Sequence, residues 1–236
     1  MKTRAPDEHH RKISDGGFRA SLFGVSDGLV TNISLMLGIA GASPGHSVVR
    51  LAGLAGLVAG AFSMGSGEYL SMRAQKELYE YEISVERQAI ADFPAAEQRE
   101  LRDLFVSRGI ELDLADRLST DLMRDPDLAL RTHAREELGV DTTATGSPWK
   151  AASSSFAFFA LGAFIPLFPW LVTSSGSEIV WSLILGGIAT VLVGGGVGWY
   201  TRRGVVRWAL RQLLITAASA FVTFSIGHLV GVGAVA

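Results

Sequence analysis

Asp27 lies in a run of apolar residues, with Thr31 and Ser34 following at i+4 and i+7 on one helical stripe. An unpaired carboxylate inside a membrane span costs several kcal/mol, so such an acid normally faces a cavity, a partner or an ion path. The plainer alternative is that it caps a kink or pairs with an arginine near the membrane surface. Met64, Glu68 and Met72 recur at i, i+4 and i+8 and so share a helix face. A thioether beside a carboxylate suits a borderline transition metal better than Ca²⁺ or Mg²⁺, which favour oxygen alone. The methionines could equally be lipid-facing filler. Glu68 is set among Gly65, Ser66 and Gly67, a composition that implies close helix packing. Further along, Glu82 and Glu86, Glu97 and Glu100, and His133 and Glu137 form pairs at helical spacing. Helices that bring such pairs together build carboxylate metal sites, although any single glutamate on an amphipathic helix is more often solvated surface. His228 reads as a hydrogen-bonded group inside a helix bundle, with a proton relay as the alternative. Gly194, Gly195 and Gly196 read as a close helix contact, since no Lys-Ser/Thr tail of a phosphate loop follows.

The elements that must position these residues follow from hydropathy. A span of the hydrocarbon core needs about 20 mostly apolar residues. Five stretches qualify: 18–42, 48–72, 149–173, 179–200 and 208–235. Pro166 and Pro169 are expected to kink or end the third. Between the second and third, residues 76–147 form a charged insert that reads as four helices. The first continues the second span to Ala91, and the others cover 95–108, 115–123 and 126–138. Residues 1–17 make a polar tail, so the organisation is tail, two spans (18–75), insert (76–147) and three spans (148–236). The fold class expected is an all-α integral membrane protein with five transmembrane helices.

Charge separates along the same boundaries. The segment from Lys76 to Asp141 holds 17 of the 23 acidic and 9 of the 21 basic residues, leaving it at −8 and the remainder at +6. Basic residues cluster before the first span (Arg4, Arg11, Lys12, Arg19) and between the fourth and fifth (Arg202, Arg203, Arg207, Arg211). Positively charged short loops stay cytoplasmic. With five spans, both clusters and the insert fall on the cytoplasmic side, and the C-terminus on the other. The polar N-terminus has no apolar stretch before a small-residue cleavage site, so the first span is expected to direct insertion itself. The chain has no cysteine, which removes disulfides, thiolate metal sites and cysteine nucleophiles. Neither a nucleophile–base constellation, a cofactor loop nor a nucleic-acid-binding patch is present, so the reading is a non-enzyme with no fixed cofactor and no nucleic-acid partner.

Two stretches carry a wider resemblance. FGVSDGLVTNISLMLGIAGA in the first span and AGAFSMGSGEYLSMRAQKE in the second resemble the vacuolar iron transporter family, including its bacterial and nodulin-like members. The similarity covers nearly the whole chain after Ser14, and the order of elements agrees: two spans, a glutamate-rich helical insert, three spans. The resemblance implies a divalent-metal/proton antiporter that removes Fe²⁺, often also Mn²⁺, from the cytosol. It also implies a homodimer whose ion path is lined by the first two helices. The intramembrane aspartate of the family falls on Asp27, its methionine on Met64, and the acid of the GEY motif on Glu68. Through the FP-x-x-E-x-x-E turn at Phe93, the metal-binding glutamates of the insert fall on Glu97 and Glu100, and upstream on Glu86. The partner expected three residues after Glu86 is Ala89, which cannot ligate. The acid before Leu-Gly falls on Glu137, and the methionine pair expected just ahead of it is here His133-Ala134. His133 is therefore a substitute ligand, since imidazole suits Fe²⁺.

These expectations give a mechanism in which the insert concentrates Fe²⁺, passes it to Glu68 and Met64, and then to Asp27. Zn²⁺ or Mn²⁺ as the main substrate is one rival. A membrane-anchored metal-binding or iron-sensing protein without transport is the other. The membrane expected is the plasma (inner) membrane if the source is bacterial.

Overall fold

The computed structural model describes residues 16–42, 45–137, 139, 146–174 and 176–233. They form eight helices and no strand: α1 (Gly16–Gly41), α2 (His46–Asp92), α3 (Pro94–Ser107), α4 (Leu112–Leu122), α5 (Pro126–Glu136), α6 (Pro148–Val172), α7 (Glu178–Tyr200) and α8 (Val205–Gly233). Five of them, α1, α2, α6, α7 and α8, are long and apolar enough to cross a membrane. The chain divides into two compact units, Met1–Leu70 with Pro148–Ala236, and Ser71–Ser147. α2 contributes to both. Its 47 residues extend about 70 Å at 1.5 Å per residue. Only about 30 Å of hydrocarbon needs to be crossed, so the charged part after Met72 lies beyond the membrane-spanning stretch.

In the first unit α1 is the central helix, packed on α6, α7 and α8. Glycines permit the approach. A Cβ on Gly28 would run into the carbonyl of Phe159, one on Gly162 into that of Val25, and one on Gly227 into that of Gly38. Without water in the bilayer, helices associate through such close packing and through interhelical hydrogen bonds. Ser34 donates to Ser219 on α8 at 2.9 Å, and Asn32 donates to the Ala163 carbonyl on α6 at 2.7 Å. Of the triple glycine, Gly194 makes the close contact read for it, a Cβ there standing 2.8 Å from the Trp208 carbonyl of α8, whereas Gly196 has nothing within 4 Å. The outer faces of α2, α7 and α8 present rows of exposed apolar side chains, among them Phe62, Leu192, Phe221 and Leu229. Rows of this kind suit lipid rather than water.

The close α1–α6 contact makes a prediction. Gly28→Ala places a methyl against backbone that cannot yield, and should cost about 1–3 kcal/mol. Gly187→Ala, with nothing within 4 Å of the added carbon, should be neutral or mildly stabilising. Thermal unfolding in detergent, read as loss of monodisperse protein, checks both.

Pro166 and Pro169 fall in the last two turns of the third span. Both lie inside α6, which continues to Val172. Membrane helices tolerate internal proline, although each proline frees the carbonyl four residues earlier, here those of Gly162 and Ile165. Ser182 of α7 ties the two helices together by donating to the Pro166 carbonyl at 2.7 Å. His228 departs from expectation: it is exposed and stacks parallel to Phe224 at 6.5 Å.

The second unit is built on two small cores. Ile90 of α2 packs with Ala129 and Leu130 of α5. Leu101 and Phe105 of α3 pack with Ala115 of α4. Pro94 and Pro126 each begin a helix, where a missing N–H costs nothing. The Asp125 carboxylate caps α5 by accepting from the Asp127 and Leu128 amides at 3.0 and 3.2 Å.

Candidate metal centre

α5 turns Ala129, Leu130, His133 and Ala134 inward, and this places an imidazole, fully buried, in the small core of the second unit. Its Nδ1 lies 2.7 Å from Glu137 Oε1, 3.1 Å from Glu86 Oε1 and 3.9 Å from Glu97 Oε2. Glu137 is one turn after His133 on the same chain segment, Glu86 comes from α2, and Glu97 from the first turn of α3. One ring nitrogen can donate a single hydrogen bond, yet three carboxylates converge on it. Glu86 Oε1 and His133 Nε2 are buried without a hydrogen-bond partner. Ligand atoms of Glu86, His133 and Glu137 all lie within 4.8 Å of one another.

The electrostatics agree with the geometry. Burial pushes the Glu86 carboxyl up to about 7. The negative charges of Glu137, Glu97 and Glu100 add to the rise, and His133 opposes it. Burial, followed by the charge of Glu100, also raises Glu97. A cluster that resists holding its own negative charge is one that a divalent cation would relieve. Mixed imidazole and carboxylate donors suit first-row divalent ions such as Fe²⁺, Mn²⁺ and Zn²⁺. The structure thus brings together Glu86, Glu97, His133 and Glu137, with Glu100 near enough to act on their charges. Glu82, paired with Glu86 by spacing, does not join this group.

In the first unit Asp27 is exposed, accepts from Thr31 Oγ1 at 3.2 Å, and has no ion pair among the described residues. The arginine-paired alternative therefore finds no support there. Ser34, expected on the same stripe, instead turns inward to α8. Met64 is half-buried against Ala61 and Phe159, and Glu68 is half-buried one turn later. By helix rise, Glu68, Met64 and Asp27 fall at successive depths: Gly56 of α2 is level with Asn32 of α1, and Met64 lies eight residues from Gly56, about 12 Å.

One polar group in this unit has no counterpart in the sequence reading. Glu178 is 3% exposed. It accepts from the Gly176 amide and Thr173 Oγ1, each at 3.2 Å, and faces His46 Nε2 at 3.6 Å. His46 in turn packs on Trp170 at 5.3 Å. An acid opening an apolar run was the available signal.

The model of the VIT family matches residues 18–228. The chain belongs to the VIT family. Among its relatives, "Vacuolar iron transporter 1" of Arabidopsis thaliana is 30% identical over 95% of this chain and 91% of its own length. "Vacuolar iron transporter 1" of Eucalyptus grandis is 30% identical over 96% and 92%. "Vacuolar iron transporter" of Acanthamoeba castellanii is 30% identical over 94% and 82%. The VIT-family match takes in both units, from the first span to His228, so the membrane helices and the insert belong to one family unit.

Proposed function

We propose that this VIT-family protein is a divalent-metal/proton antiporter that moves Fe²⁺, and also Mn²⁺, out of the cytosol. The observation that carries the reading is the convergence of Glu86, Glu97 and Glu137 on the buried His133, in a chain whose relatives bear the name vacuolar iron transporter. In this mechanism the acidic insert faces the cytoplasm and collects the ion. Glu68 and Met64 receive it, and Asp27 holds it in the membrane. Metal and proton compete for the same carboxylate lone pairs, so each displaces the other. Protons arriving from the far side then release the metal there.

A homodimer fits the same reading. Asp27 is exposed on a single chain, and a carboxylate facing lipid is costly. A second copy covering this face of α1 would enclose it beside the ion path.

The test is Fe²⁺ flux into or out of proteoliposomes under an imposed pH gradient, with a pH dye inside. Metal movement that needs the gradient and drives protons the opposite way is expected. Tight Fe²⁺ binding with no flux would instead leave a membrane-anchored metal-binding or sensing protein.

A further inference from the structure

Two donors of α1, Asn32 and Met36, face α2. Asn32 is fully buried. Its amide nitrogen donates to the Ala163 carbonyl, while its Oδ1 has no partner. That oxygen is aimed at Gly56: a Cβ there would stand 2.8 Å from it. Met36, one turn further along α1, is 1% exposed, and its Sδ would lie 2.7 Å from a Cβ on Gly53. Asn32 and Met36 are four apart on α1, and Gly53 and Gly56 three apart on α2. The amide oxygen thus faces Gly56, and the thioether sulfur faces Gly53 from within an apolar cluster that includes Val49 and Leu57 of α2 and Leu167 and Trp170 of α6. The bond to Ala163 ties α1 to α6 and accounts for the amide nitrogen, but not for the buried, unpartnered oxygen.

We propose that Asn32 and Met36 form a neutral oxygen–sulfur stop for the transported ion and set its selectivity. The stop lies about 7.5 to 13.5 Å beyond Asp27 along α1. It rests on the transport reading given above. α2 packs against both donors, and admission of the ion would require α2 to move outward. Neither donor carries charge, so the ion is stripped and recognised there but not trapped. A thioether favours Fe²⁺ over the harder Mn²⁺.

The test measures Fe²⁺ and Mn²⁺ flux, singly and in competition, for the full-length wild type, Met36→Leu and Asn32→Leu in proteoliposomes. Met36→Leu conserves volume. It should lower the Fe²⁺:Mn²⁺ transport ratio about tenfold, the low end of what losing a supporting metal contact costs. Asn32→Leu should depress both ions. Asn32→Asp, which adds charge at the stop, should lower KM and kcat together as release slows. If Asn32 is only a helix contact through Gly56, the Fe²⁺:Mn²⁺ ratio stays at the wild-type value in every variant, and the proposal is overturned. No flux in the wild type overturns the transport reading and this inference with it. Wild-type flux with an unshifted ratio overturns this inference alone.

Discussion

Asp27→Asn should reduce proton-coupled metal flux to the leak of protein-free vesicles while leaving the protein folded. The substitution keeps the shape and the acceptor that Thr31 uses at 3.2 Å. It removes only the capacity to exchange a metal ion for a proton. Asp27 is exposed and takes no part in the α1–α6 seam, which rests on Gly24, Gly28 and Gly162. Unfolding temperature in detergent should therefore match the wild type, and calorimetric Fe²⁺ binding to the insert should persist. Asp27→Glu restores the charge with a longer reach and should recover part of the flux. Undiminished export by Asp27→Asn would falsify the role assigned to this carboxylate, and would turn attention to Glu68 as the only other acid placed on the path.

The five spans were legible because hydropathy over about 20 residues is a one-dimensional property. The second compact unit, Ser71–Ser147, coincides with the stretch where charge changes sharply along the sequence. Helix starts at Pro94 and Pro126 were readable from local chemistry alone. The hydrogen bond from Ser182 to the Pro166 carbonyl was not readable in the same way, because Ser182 sits on another helix.

The candidate metal centre shows the same division. Spacing put His133 and Glu137 on one face, and the family resemblance selected Glu86, Glu97 and Glu100. What spacing could not give is that α2, α3 and α5 meet at a single ring nitrogen. Nor could it give the complete burial of His133 in a mostly polar helix, although Ala129, Leu130 and Ala134 around it were the trace of that inward face. Asn32 was not legible, and Glu178 only as an acid opening an apolar run. A lone polar residue in an apolar run looks alike whether it bridges two helices, as Asn32 does with its nitrogen, or leaves an atom unpartnered.

Glu86→Gln should weaken metal binding and strengthen the metal-free insert, two effects of opposite sign. In the metal-free protein the Glu86 carboxyl is raised from 4.5 to about 7 by burial and then by its acidic neighbours. An acid whose folded pKa lies above its unfolded value contributes most stability below the unfolded value. That contribution fades as pH climbs through the folded one. The metal-free insert should accordingly loosen between about pH 4.5 and pH 7, and stay loosened above. Glutamine stays neutral throughout and escapes the loss. Metal binding runs the other way, because the ligand must be deprotonated. Wild-type affinity for Fe²⁺ or Mn²⁺ should fall about tenfold per pH unit below 7, as one proton competes for the site. Glu86→Gln should lose about 10- to 100-fold in affinity at pH 8 and most of that pH dependence. Hydrogen exchange of α5 amides in the full chain reads the stability arm. At pH 8 the metal-free variant should exchange more slowly than wild type, and near pH 5 the two should agree. Calorimetry in buffers of different ionisation enthalpy reads the other arm, where the wild type should release a proton per metal at pH 6. Faster α5 exchange in the variant at pH 8, or wild-type affinity for Fe²⁺, would mean that Glu86 is a solvated surface acid and that the charge crowded around His133 does not form the metal centre.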